Sequence, residues 1–210
     1  MLAATGNARL YLASQSPRRA QLLTQAGIDF TRLPSAIDEQ PLAAEAASDY
    51  VARLAVGKAR AGWALLAAQQ LPPLPVLGAD TSVVLNGVIL GKPNDREQAL
   101  DMLRALSATT HRVMTAVCLY YEGPGSGAGQ GQMVSETVVS EVRFRALSEA
   151  QIAAYWDSGE PIGKAGSYAI QGFGGVFVEH LSGSYSAVVG LPLAQTWQLL
   201  EQIERTIAAT

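Results

Sequence analysis

Asp80 lies inside an apolar run, with Val76 and Leu77 before it and Val83, Val84 and Leu85 after it. A carboxylate so placed is costly unless it meets a cation or accepts hydrogen bonds. A strand-end aspartate bonded to its local backbone is the structural alternative. Glu39, in Asp38-Glu39-Gln40-Pro41, is ordinary alone and gains meaning as a second carboxylate. Two carboxylates can hold Mg²⁺ or Mn²⁺ against phosphate oxygens, and one can activate water. Ser14-Gln15-Ser16-Pro17-Arg18-Arg19 brings the opposite charge. Here Ser16 can cap a helix and Pro17 takes its first position, where a missing N–H costs nothing. Arg18 and Arg19 then stand in the first turn, against the helix dipole unless an anion binds there. Free backbone N–H groups, a serine and two guanidinium forks make a phosphate site. An ordinary capped helix with two solvated arginines is the alternative.

Three lysines extend the cationic set. Lys92 sits in a tight Gly91-Lys92-Pro93 turn after an apolar strand, which suits a fixed anion contact. Lys164, in Gly163-Lys164-Ala165-Gly166, has a similar glycine-bounded setting, whereas Lys58 reads equally well as a surface helix lysine. With two histidines, His111 and His180, and no helical histidine pair, a zinc hydrolase is disfavoured. His111 reads as structural and His180 as exposed. Ser16 lacks a glycine-flanked nucleophile elbow, and Gly172-Phe173-Gly174-Gly175 does not open a helix as a dinucleotide fingerprint would.

The elements that must carry these residues follow from periodicity and punctuation. Leu10–Ala13 reads as a buried strand, Leu22, Leu23 and Ala26 as the face of a helix closed by Gly27, and Phe30–Leu33 as a second strand. A long amphipathic helix is expected from about Ala43 to Gln69, with Tyr50, Val51, Leu54 and Ala55 inward. Pro75–Leu85 and Val88–Leu90 make a hairpin around Asn86-Gly87. Asp95–Leu106 follows as a helix, then strands Arg112–Tyr121 and Val134–Phe144 joined by the glycine-rich loop Gly123–Gly129. A helix from Ser148 to Trp156, strands Val176–Glu179 and Ala187–Val189, and a terminal helix from Leu191-Pro192 with Trp197, Leu200 and Ile203 as its stripe complete the reading. Helices mixed with hairpins suggest α/β or α+β with a mixed sheet, in two lobes around a cleft.

Composition narrows the class. In 210 residues, 49% are hydrophobic and 16% charged, which excludes disorder and allows one substantial core. A formal charge of -3 argues against a nucleic-acid polymer as partner. Cys118 is the single cysteine and reads as a small buried hydrophobe. No secretory pattern or apolar stretch of roughly 18 residues is present, so a soluble cytoplasmic protein without a membrane partner is expected.

Taken in order, the segments Ser14–Arg19, Asp38–Gln40, Lys58-Ala59, Gly78–Thr81, Gly91–Pro93, Thr110–Val113, Lys164–Tyr168, Ile170–Gly172 and Gly183–Tyr185 through Val188–Pro192 resemble the Maf family of nucleoside triphosphate pyrophosphatases. Lys164–Pro192 is most similar to its bacterial subgroup acting on dTTP and UTP. The resemblance implies a single domain over 1–210, an α/β mixed twisted sheet in two lobes around a cleft, related to inosine triphosphate pyrophosphatases. It also implies cleavage of a nucleotide to its monophosphate and pyrophosphate with a divalent metal, Mg or Mn. By the same resemblance Asp80 is the proton acceptor, and Arg18, Thr81 and Gln171 bear on substrate choice. Glu39, Lys58 and Lys92 belong to the phosphate and metal surroundings. The chain departs from the pattern at Gly163, where an aspartate is usual, and at Ser107-Ala108-Thr109, where serine–glycine is usual. The lost charge at 163 is expected to alter metal affinity or turnover.

The expected site therefore comprises Asp80 as catalyst, Glu39 and Asp80 toward a metal, and Ser14, Ser16, Arg18, Arg19, Lys58, Thr81, Lys92, Lys164 and Gln171 toward the nucleotide. One carboxylate serves poorly as both tight ligand and free base, so Asp80 is favoured as base or water-positioning group. The alternative function is a nucleotide-responsive regulator of cell division with little or no turnover. A homodimer is compatible with the apolar late segment, which a buried core explains equally well.

Overall fold

With no polar residue to turn toward water, Leu10–Leu12 forms a strand, β1, buried along its length. The structure is a computed structural model and describes residues 9–125 and 131–209. Strand β1 pairs in parallel with β2 (Phe30–Arg32) and with β3 (Val76–Leu85). Parallel neighbours need crossovers, which α1 (Pro17–Gln25) and α2 (Ala47–Gln69) provide. The seven-stranded sheet runs β2-β1-β3-β5-β6-β7, with β4 (Val88–Leu90) paired to β3 off that path. Here β5 is Thr110–Tyr121, β6 Gln132–Phe144 and β7 Val178–Ser182. Pairs β3/β4 and β6/β7 are antiparallel, so the sheet is mixed, as expected.

The described chain forms two compact units whose boundaries fall inside β3, β5 and β6: one runs up to Asp80 and adds Thr115–Thr137 and the chain from Gly190; the other holds Thr81–Met114 and Val138–Val189. In the first, α2 buries Val51, Leu54, Ala55, Lys58, Ala59, Gly62 and Leu66, the spacing of one helical stripe. Glycine makes the approach of α2 to β3 possible: a Cβ at Gly78 would stand 2.2 Å from the Ala55 carbonyl and 2.5 Å from the Ala59 nitrogen. The terminal helix α6 (Leu193–Ala208) buries Thr196, Leu199, Leu200 and Ile203. Trp197, expected in that stripe, stays partly exposed; its Nε1–H donates to Glu201 at 2.8 Å and Arg9 lies over its ring. An indole N–H needs such a partner, which pulls the ring to the helix edge.

In the second unit the β3–β4 turn has Asn86 and Gly87 at φ 50° and 81°, the left-handed pair a two-residue hairpin requires. Helices α3 (Arg96–Leu106) and α4 (Glu149–Asp157) are capped by Asp95 and by a Ser148–Gln151 capping box. Their apolar faces join Val83, Val113, Val142, Phe144, Tyr168 and Phe177 in one core. Ala108, at the position where the resemblance makes glycine usual, has φ 56°, a conformation glycine adopts without strain.

Several elements differ from expectation. Helix α2 starts at Ala47 rather than Ala43, because Ala44 is left-handed and Glu45 accepts from the Leu42 N–H and from Arg53. Ala187–Val189 is not a strand; it belongs to the short helix α5 (Tyr185–Val189), whose Ala187 N–H is capped by Ser184 Oγ at 3.2 Å. Local capping overrides the β propensity of Val188-Val189. The strand expected at Val176–Glu179 begins at Val178, after a 3₁₀ segment over Phe173–Phe177. Part of the Gly123–Gly129 loop, residues 126–130, lies outside the described residues. Among the described residues no helix is long and apolar enough to cross a membrane.

Candidate active site

Alternation along β3 decides the site. Gly78 and Asp80 are two residues apart and share a face of the strand, so the face that admits α2 at Gly78 presents Asp80 to it. Lys58 occupies the sheet-facing stripe of α2 and donates to Asp80 Oδ1 at 2.7 Å. Its ammonium also stands 2.6 Å from Glu39 Oε1. The two side chains Lys58 and Asp80 are only 10% and 11% exposed, so the carboxylate is satisfied by a cation, one of the two conditions its apolar surroundings impose. Lys58 is thus buried rather than a surface lysine, and the two acids meet on a single positive atom.

Glu39 comes from an irregular segment, and two side chains of α2 hold that segment. Tyr50 donates its hydroxyl to the Glu39 carbonyl at 2.8 Å, and Arg53 donates to the Gln40 carbonyl at 3.0 Å. Arg53 is itself fixed by Glu45 at 2.6 Å. Tyr50, expected on the inward face, and Arg53 carry no site signal in the sequence beyond their position beside the buried stripe, each one residue before a member, Val51 and Leu54.

Around the start of α1 the cationic groups divide. Arg19 is buried and donates to the Gly190 carbonyl at 2.8 Å and to Ser14 Oγ at 3.0 Å. Ser14 Oγ accepts a second bond, from the Ser16 N–H, at 3.2 Å. Ser16 holds the cap position with Pro17 behind it, yet its side chain makes no capping bond. Ser14 has taken over the local backbone pairing. Burial depresses the pKa of the Arg19 guanidinium, while Asp80 raises it, Arg18 lowers it and Glu39 raises it. Arg18, half-buried, is depressed by burial alone. Ser14, Ser16, Arg18, Arg19, Glu39, Lys58 and Asp80 thus all belong to the first unit, where Arg19 shares an electrostatic field with both acids.

The remaining expected residues belong to the second unit. Thr81 follows Asp80 on β3 and is half-buried; Lys92 and Gln171 are exposed. The Lys92 and Lys164 segments adjoin, since the Gly166 N–H donates to the Gly91 carbonyl at 3.1 Å. Lys164 donates to the Ile162 carbonyl at 3.2 Å, and its charge lowers the pKa of Glu160. Gly163 is left-handed at φ 70° with nothing within 4 Å of where a Cβ would stand. His111 is structural: Nε2 pairs with the Tyr168 hydroxyl at 2.9 Å, and burial pushes the ring down to about 4. Burial likewise pushes the Cys118 thiol up to about 12, consistent with an inert packing role.

A model of the family described as Maf-like protein matches residues 9–203. The chain is 53% identical over 191 residues to the dTTP/UTP pyrophosphatase of Escherichia coli O157:H7, covering 91% of each chain. It is 51% identical over 196 residues to the dTTP/UTP pyrophosphatase of Bordetella parapertussis, again over 91% of each. Likeness to the enzyme of that name in Escherichia coli K12 is 52% over 191 residues.

Proposed function

The chain belongs to the Maf family, and from that premise we propose that it hydrolyses dTTP and UTP to the nucleoside monophosphate and pyrophosphate. The observation that carries the chemistry is the buried Lys58–Asp80 pair closed by Glu39. Phosphoryl transfer asks for positioning and charge neutralisation rather than covalent help from the protein. Water attacks the α-phosphorus, its oxygen forming the new bond as the bridging oxygen leaves with pyrophosphate. Asp80 orients that water and accepts its proton. Lys58 fixes the Asp80 carboxylate, and an ammonium has three donors, so its two carboxylate contacts do not exhaust it for a phosphate oxygen. Arg18 and the start of α1 neutralise phosphate charge, with Ser14 and Arg19 holding that turn in shape. Lys92 and Lys164 take further phosphate oxygens, and Thr81 and Gln171 bear on substrate choice, Gln171 through the base. The Gln171 amide has a donor beside an acceptor, which matches the uracil or thymine edge. An apolar pocket separates bases differing by one methyl by only ~1–3 kcal/mol, so thymine and uracil are both accepted, and acceptance of dTTP beside UTP further asks that no buried group depend on the 2′-hydroxyl.

A divalent cation fits this donor set. Glu39 and Asp80 converge to 2.6 and 2.7 Å on one point, which the Lys58 ammonium fills, so an ion would be held beside that ammonium and not in its place. Hard oxygen ligands from one or two carboxylates, completed by substrate phosphates, are what Mg²⁺ takes. Among the described residues no three such side chains gather; Glu39 would hold the ion together with substrate phosphates, while Asp80 keeps the water-positioning role. When bound, the ion adds charge neutralisation at the phosphates. A nucleoside triphosphate substrate supports a cytoplasmic location for the enzyme.

The test is incubation of the purified protein with a nucleotide panel and Mg²⁺ or Mn²⁺, separating pyrophosphate from orthophosphate. Pyrophosphate released fastest from dTTP and UTP is expected. Orthophosphate as first product, or no turnover of any triphosphate, contradicts the reading.

A further inference from the structure

Gln171 is exposed at the crest of a turn, closed where the Gly172 N–H donates to the Ala169 carbonyl at 3.2 Å. Both ends of that turn are tied to a single acid–phenol pair. The Tyr155 hydroxyl accepts from the Ala169 N–H at 3.1 Å and donates to Glu160 Oε1 at 2.7 Å. Glu160 Oε1 also accepts from the Gly174 N–H at 2.9 Å, and Oε2 accepts from the Phe173 N–H at 2.8 Å. The chain wraps this carboxylate so closely that a Cβ at Gly172 would stand 2.2 Å from Glu160 Oε2. At Gly174 one would stand 2.5 Å from the Tyr155 hydroxyl. Glycines at 172 and 174 are therefore explained by the acid and phenol they enclose.

Desolvation of the half-buried Glu160 works against its charge, but the Gly174, Tyr155 and Phe173 hydrogen bonds and the Lys164 charge prevail, and its pKa is lowered. A carboxylate held ionised is an acceptor at both oxygens. It is therefore matched to three donors, and a neutral amide in its place is not.

We infer that Glu160, acting through Tyr155, is a positioning residue that fixes the Ala169–Gly172 turn and so sets how strictly Gln171 discriminates between bases. The inference rests on the reading of Gln171 as the base-contacting residue. A glutamine amide turned by 180° presents its donor and acceptor in reversed order, the order that suits cytosine. Preference for uracil and thymine therefore needs the side chain held in one pose, and its backbone must be held first. Glu160→Gln sets an NH₂ against the Phe173 N–H or against the Gly174 N–H, leaving one donor facing another. Tyr155→Phe keeps the buried ring but removes the hydroxyl that joins both ends of the turn.

The experiment measures kcat and KM for dTTP, UTP and CTP in the wild type, Glu160→Gln, Tyr155→Phe, Gln171→Ala and the Glu160→Gln/Gln171→Ala double variant, alongside thermal midpoints. For Glu160→Gln and Tyr155→Phe, the dTTP-to-CTP ratio of kcat/KM is expected to fall about tenfold, mainly through KM. The double variant is expected to lose no more discrimination than Gln171→Ala alone, since both act on one contact. If Gln171→Ala collapses the ratio while Glu160→Gln and Tyr155→Phe preserve it, the positioning role is wrong and the base reading stands. If Gln171→Ala preserves the ratio, the base reading fails and takes this inference with it. Rates for all three nucleotides falling in equal proportion in the Glu160 and Tyr155 variants would mean a structural role only. Should Glu160→Gln fail to fold, Tyr155→Phe decides the matter.

Discussion

Lys58 Nζ lies 2.7 Å from Asp80 Oδ1, on side chains that are each about nine-tenths buried. Such a pair repays its desolvation only when geometry is good and both charges stay compensated. Glu39, less buried, closes the set at 2.6 Å. The arrangement sets a carboxylate in an apolar wall with its orientation fixed, as the proposed water-activating role requires.

Lys58→Met removes the ammonium paired with Asp80 and Glu39 and leaves the two acids facing one another. A loss of about 3 kcal/mol or more is expected, the scale for breaking a buried pair. In an Asp80→Asn background the same substitution should cost clearly less, because the uncompensated charge is gone. Urea midpoints of the four proteins in that cycle check this; equal costs in both backgrounds contradict it.

Gly78→Ala tests the contact that brings the pair together. Its Cβ would stand 2.2 Å from the Ala55 carbonyl, a backbone atom that cannot rotate away. Helix α2 must shift, which is expected to cost about 1–3 kcal/mol by overpacking. Activity should fall further than stability, because the shift carries Lys58 away from Asp80. Retained turnover in a folded Gly78→Ala protein would show that close contact of α2 with β3 is unnecessary.

His111 predicts an acid limb of stability. Its folded pKa, pushed down to about 4 by burial, lies below the ordinary 6.5. Between those values the unfolded chain binds the proton and the folded one does not, so stability rises with pH. The contribution is fully present above about 6.5 and is lost as pH falls through 4, amounting to about 3 kcal/mol. His111→Gln keeps a hydrogen-bonding group beside the Tyr168 hydroxyl and does not titrate. Its urea midpoint should depend less on pH than the wild type's between pH 6.5 and 4. An identical pH dependence in both proteins contradicts the assignment.

Much of this was legible in the residues, for physical reasons that differ from place to place. Asp80 stood out because charge inside an apolar run demands compensation. Its partner was harder to see, since Lys58 reveals itself only by helical phase, falling on the stripe of Val51, Leu54, Ala55 and Ala59. Asn86-Gly87 announced its hairpin because few residues adopt left-handed angles cheaply. By contrast Ala187–Val189 has the composition of a strand and folds as helix, the choice being made by Ser184 beyond the run. Glu160 carried no signal at all. Two of its partners are backbone N–H groups, which every residue but proline possesses.

The central claim is that Asp80 handles the attacking water while other groups hold the nucleotide. Asp80→Asn keeps the volume and removes the base, so single-turnover assays paired with dTTP binding separate the two roles. Turnover is expected to fall by about 10²–10⁴-fold, the usual reach of a general base, with the dissociation constant for dTTP changed only a few-fold. Near-normal turnover in that folded variant would contradict the account.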